Sequence, residues 1–217
     1  MITEAVTPPV AGDVFRAWRR KIRPMTKGRV EAFSDGVIAV IITIMVLEMK
    51  VPHGIDAAAL APVLPVFLAY VLSFVFVGIY WSNHHHMFQA VHHVNGATLW
   101  ANLHLLFWLS LAPFVTGWMG TNHFASLPVA AYGAVLLGAA CAYFILARVL
   151  IAAHGNDSLL ANALGKDVKG KMSPVIYAAA IVLAFVQPVV SCALYVLVAA
   201  IWLCPDPRFE RLLAGKR

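Results

Sequence analysis

Ser34 and Asp35 stand side by side near the start of the first long apolar stretch, where polar chemistry is expensive. An ionisable group inside a membrane-spanning helix costs about 2.5–3.5 kcal/mol on insertion scales, so Asp35 needs either a partner or water at the boundary. Neighbouring residues on a helix point about 100° apart, so Ser34 and Asp35 cannot share one base in a hydrolytic relay. A second group is His84, His85, His86, His92 and His93. No acidic or cysteine ligand accompanies these histidines, which reads as loop histidine more readily than as a metal site. Trp81, His84 and Phe88 are spaced to share one helical face. Further along the first apolar stretch, Gly36, Val40, Thr43 and Leu47 form one narrow stripe, with Ile38, Ile41, Ile42 and Met45 opposite. A stripe of small and medium residues with one hydroxyl has two uses. It packs on other helices, or it lines a narrow pore around a symmetry axis.

The rest of the chain explains where these residues must sit. Of 217 residues, 61% are hydrophobic and 12% charged. Soluble domains average about 45–50% apolar and about 25% charged, so an ordinary soluble enzyme, a disordered chain and a free nucleic-acid-binding domain are excluded. Cys141, Cys192 and Cys204 lie in apolar runs without paired spacing, which excludes a disulfide framework and a thiolate zinc site. A spanning helix needs about 20 mostly apolar residues. Such runs cover Val30–Met49, about Ala57 to Trp81, about Ala97 to Met119 with a kink expected at Pro113, and about Leu127 to Ala153. Pro62 and Pro65 fall in the opening turns of the second run, Asn95-Gly96 marks a turn, and the histidine-rich stretch follows Trp81. Met172–Cys204 is too long for one span and short for two, and Gln187-Pro188 near its middle predicts a hairpin of two short helices. The expected fold is an all-α membrane protein with six transmembrane helices. Asn102, His104 and Gln187 are expected to bond between helices, and Arg148 to snorkel to the cytoplasmic face.

Charge placement gives the topology. Residues 1–29 hold Arg16, Arg19, Arg20, Lys21, Arg23, Lys27 and Arg29 against Glu4 and Asp13. Lys166, Lys169 and Lys171 form a second basic group; Arg208, Arg211, Lys216 and Arg217 form a third. Basic loops stay cytoplasmic, and an even number of spans puts both termini, with the loops after spans two and four, on that side. The expected partner of these groups is the anionic inner leaflet and not nucleic acid. The early charges follow Pro8-Pro9 with no apolar run before them, unlike a signal peptide.

Arg29-x-x-x-Phe33-Ser34-Asp35-Gly36 resembles the signature of the transmembrane protein 175 family, the lysosomal and bacterial potassium channels. Trp81 through Phe88 resembles that family's Trp-x-x-His-x-x-x-Phe run, Asn102 through Pro113 its third span, and Tyr177 through Asp206 its short fifth and sixth spans. The resemblance implies a channel domain over residues 29–206, flanked by a basic arm (1–28) and a basic tail (207–217), both cytoplasmic, in the bacterial inner membrane. It implies a homotetramer with the first helix of each subunit around the ion path, potassium as the permeant ion, and no cofactor, re-entrant filter or enzymatic activity. Matched by offset from Asp35, the hydrophobic constriction falls on Val40, a hydroxyl layer linked to selectivity on Thr43, and a further apolar layer on Leu47, with Ile44 a quarter turn away. Arg29, Phe33, Ser34, Asp35, Gly36, Trp81, His84 and Phe88 would form an anchoring network, with His84 donating to Asp35 and Arg29 supplying charge. A secondary transporter and a proton-permeable channel are the alternatives.

Overall fold

The computed structural model describes residues 26–155, 158, 160–161 and 168–203. The basic arm up to residue 25, Lys166, Cys204, Pro205-Asp206 and the tail at 207–217 lie outside the described residues. Among those described, the regular structure is helical. α1 (Lys27–Leu47) is followed by a single 3-10 turn (Ala57–Leu60), α2 (Leu64–Gln89), α3 (Gly96–Ser110), α4 (Ala112–Thr121), α5 (Ser126–His154), α6 (Val168–Ala184) and α7 (Pro188–Leu203).

Local chemistry accounts for the boundaries. Asp56 caps the 3-10 turn by accepting from the Ala59 amide, and Pro65 occupies the first turn of α2, where a missing N–H is harmless. α2 therefore begins at Leu64, later than the apolar run, and it continues two turns past Trp81 to Gln89. His84, His85 and His86 are thus helical and not in a loop. Asn95 accepts from both the amide and the hydroxyl of Thr98, at 2.9 and 3.1 Å, and starts α3. Pro113 breaks the third run where expected, leaving α3 and α4 as two segments of one 26-residue span. The turn Phe185–Gln187 separates α6 from α7, with the Gln187 amide donating to the Leu183 carbonyl. Gln187 serves this exposed turn and does not bond between the spans as expected. His104 likewise stays within its own helix, accepting from Trp108 Nε1 at 3.1 Å.

Four helices, counting α3–α4 as one, are long and apolar enough to cross a membrane: α1, α2, α3–α4 and α5. α6 and α7 have 17 and 16 residues. They pair with each other and pack on α5. Tyr195 of α7 donates to the Val129 carbonyl near the start of α5, and Trp202 meets the Tyr143 ring further along it.

One end of the bundle holds Lys27 and Lys169, described members of two of the three basic groups. Lys27 donates to the Val91 carbonyl in the α2–α3 loop, and Lys169 to the Ile201 carbonyl at the end of α7. His154, at the end of α5, accepts from the His92 and His93 amides while its ring lies 4.2 Å from that of His93. The loop after α2 and the end of α5 therefore share an end with the start of α1.

Two buried apolar clusters fill the bundle. The first joins Ile38, Ile41 and Met45 of α1 to Met87, Phe88, Leu105 and Leu146. The second joins α2, α4, α5, α6 and α7 around Phe76, Met119, Tyr132 and Tyr195, without α1. A polar contact sits between them: Ser73, Thr116 and Tyr132 hydroxyls meet at 2.6 and 3.1 Å. Small residues set the closest helix approaches. A Cβ on Gly120 would lie 2.6 Å from the Val66 Cα, a backbone atom that cannot move aside. Gly120→Ala is therefore expected to separate α2 from α4 and cost about 2–3 kcal/mol, read as a lower melting temperature of the purified protein. An unchanged melting temperature would show that this approach is not tight.

Candidate ion path and its anchor

α1 has two faces with different environments. Val30, Ser34, Ile38, Ile41 and Met45 recur every three or four residues and are buried against α2, α3 and α4. Gly36, Val40, Thr43, Ile44 and Leu47 occupy the other side and are exposed; Val40 and Leu47 are 55% and 79% accessible. The apolar side chains opposite the stripe are thus the ones the protomer buries, with Ile42 at the margin. A Cβ on Gly36 would meet nothing within 4 Å, so nothing inside the protomer requires glycine there. Thr43 donates its hydroxyl proton to the Val40 carbonyl at 2.8 Å. That bond uses the proton and leaves lone pairs of the oxygen for an outside cation or donor.

The buried face is fastened by polar groups. Ser34, fully buried, donates to the Val30 carbonyl at 2.9 Å and accepts from Asn102 Nδ2 at 2.9 Å. Asn102 Oδ1 in turn meets His84 Nε2 at 2.8 Å. An amide oxygen only accepts, so His84 carries its proton on Nε2 and donates. The result is a one-way relay, His84 to Asn102 to Ser34 to Val30, joining α2, α3 and α1, each buried donor meeting an acceptor. The His84 ring stacks on Phe88, with centroids 4.5 Å apart. Asp35, one residue on, is exposed and accepts from Trp81 Nε1 at 3.0 Å.

The expected bond from His84 to Asp35 is thus replaced by two. Ser34 and Asp35 point in different directions, so Ser34 turns inward to α3 and Asp35 outward to the indole of α2. The structure brings Ser34, Asp35, Trp81, His84 and Phe88 together through these contacts. Arg29 and Phe33 are exposed on the same helix, and Phe33 is 55% accessible. Asn102 is the hub that the expected network lacked. Its signal was present, because an amide inside an apolar span needs partners for both ends.

Taken together, a helical bundle with several apolar spans and a polar anchor buried between three of them defines a multi-pass membrane protein. Its relatives narrow the class. Residues 29–113 match the family model described as endosomal/lysosomal potassium channel TMEM175. A protein named potassium channel from Chryseobacterium sp. strain P1-3 is 57% identical over 189 residues, covering 87% of this chain and 98% of that protein. The chain belongs to the TMEM175 family of ion channels. It is also 41% identical over 121 residues to human TMEM175, named an endosomal/lysosomal proton channel, spanning 48% of this chain and 23% of that protein. Among solved structures, the crystal structure of a lysosomal potassium-selective channel TMEM175 homolog from Chamaesiphon minutus superposes with a TM-score of 0.69. It is 29% identical and covers 82% of this chain and 96% of its own.

Proposed function

We propose that this chain forms a potassium-preferring cation channel in which four copies surround an ion path lined by α1. One observation carries the reading. α1 spends its apolar, Ser34-anchored face on its own protomer and leaves Gly36, Val40, Thr43 and Leu47 uncovered. In this reading α6 and α7 complete six crossings, and the basic end faces the cytoplasm, as the charge rule asks. A ring of four Val40 side chains closes the path by dewetting, with Leu47 a second apolar layer and Ile44 at its margin. Four Thr43 oxygens replace part of the hydration shell of a passing cation and favour potassium, the more easily dehydrated ion, to a modest degree.

The test is ion flux through purified protein in liposomes. Channel flux is expected well above the turnover range of about 1–10³ s⁻¹ that a carrier cycling like an enzyme would show. Thr43→Ala is expected to bring the potassium-to-sodium permeability ratio, read from the reversal potential, toward about 1. An unchanged reversal potential would remove Thr43 from selectivity. Flux within the carrier range would favour a secondary transporter. Proton permeation beside potassium is the second reading. It is favoured by the name of the mammalian relatives and is read in the same liposomes with a pH dye.

A further inference from the structure

A cleft opens between α2, α5, α6 and α7, away from α1. Phe76, Tyr80, Tyr143, Tyr177 and Trp202 make its walls, in edge-on ring contacts such as Phe76–Tyr177 and Tyr80–Tyr143, both at 6.2 Å. Two features set it apart from a packing defect. Tyr80 and Tyr177 are only 9% and 2% accessible, yet neither hydroxyl has a hydrogen-bond partner among the described residues. Neither hydroxyl is sealed in the interior, and both residues line the cleft. A phenol hydroxyl in an apolar surround needs an acceptor, and leaving it without one costs about 1–3 kcal/mol. The second feature is charge. Arg148 is exposed one turn beyond the cleft, its guanidinium 6.0 Å from the centre of the lining Phe144 ring. It is the one formal charge between Ala57 and Asn156.

We propose that this cleft holds an anionic phospholipid drawn from the surrounding leaflet. The phosphate sits at Arg148, the ester oxygens accept from the Tyr80 and Tyr177 hydroxyls, and an acyl chain lies along the aromatic wall. A molecule in water is a poorer match, because the lining is overwhelmingly apolar and lies among helices that cross the membrane. The site is separate from α1, so it holds whether or not α1 lines the ion path.

Trp202 reports on the cleft directly. The full-length protein is reconstituted in phosphatidylcholine vesicles containing either brominated-chain phosphatidylglycerol or brominated-chain phosphatidylcholine at equal mole fraction. The quenching lost in Trp202→Phe is the signal from the cleft. Phosphatidylglycerol is expected to quench this component with about fivefold higher affinity, the factor that one cation at a membrane surface supplies. Arg148→Gln is expected to abolish the preference. Tyr80→Phe/Tyr177→Phe is expected to weaken phosphatidylglycerol retention, measured by native mass spectrometry. The double variant removes no internal hydrogen bond, so the fold is not at risk, and its melting temperature serves as the check. Equal quenching by the two lipids, or a preference indifferent to Arg148 and to both tyrosines, would overturn the proposal. So would a Trp202 component that neither lipid quenches, which would mean that water or a neighbouring subunit fills the cleft. Since the readout is binding, a protein that retains the lipid and conducts no ions would refute the channel reading and leave the lipid site standing.

Discussion

Asn102→Leu is expected to be among the most damaging single substitutions in the protein. Leucine keeps the volume of the side chain but removes both ends of the amide. His84 Nε2 then has a proton and no acceptor, and the Ser34 oxygen loses its donor, both in a buried setting. Hydrogen bonds between membrane helices are individually modest, about 0.6 kcal/mol on average. An orphaned buried donor is a larger matter, about 1–3 kcal/mol, so the total loss should reach about 2–4 kcal/mol. Ser34→Ala orphans one buried donor, Asn102 Nδ2, but leaves His84 its acceptor, so it should cost less, about 1–2 kcal/mol. Asp35→Ala, which loses the exposed bond from Trp81, should cost less still. Thermal unfolding of the three variants in one detergent gives the ranking. If Asp35→Ala proves the most damaging, the anchor is the Trp81–Asp35 contact and the buried relay is secondary.

Val40→Ala should change conduction instead of stability. Val40 is 55% accessible in the protomer, so shortening it leaves little cavity and little loss of packing. In a fourfold ring the same change removes apolar bulk from every subunit at one level. Dewetting depends on the width and apolarity of that level. A fall of only about 1.4 kcal/mol in the barrier raises the rate tenfold, so basal potassium flux is expected to rise by about that factor. Val46→Ala is the control, because Val46 is also exposed, at 42%, but stands about a quarter turn off the stripe, on the side away from Ile44. Equal effects from both substitutions would show that flux follows general loosening, and no effect from either would move the constriction away from Val40.

The two faces of α1 were legible in the chain itself. Helical periodicity put Gly36, Val40, Thr43 and Leu47 on one side and Ile38, Ile41, Ile42 and Met45 on the other, and the protomer buries the second set, Ile42 only in part. The break at Pro113 and the turn before Pro188 were equally legible, because proline removes a donor whatever surrounds it. The start of α2 was less so: the apolar run from Ala57 does not reveal that Asp56 and the prolines hold its first turn as a separate 3-10 segment.

Pairing between helices was decided only by tertiary structure. Spacing places Trp81, His84 and Phe88 on one face of α2 and says that Ser34 and Asp35 diverge. It does not say which neighbour lies within about 3 Å of each, a distance within which hydrogen bonding is won or lost. Hence His84 takes Asn102 and not Asp35, and Trp81 takes Asp35. The cleft is a stronger case. Tyr80, Phe144, Tyr177 and Trp202 come from four different helices, and each reads alone as an ordinary apolar-span aromatic. Periodicity is a property of one helix and is written in its own residues. Proximity between helices depends on crossing angles and on where glycines let backbones close in, as at Gly120 and Val66, and that information is spread over the whole bundle.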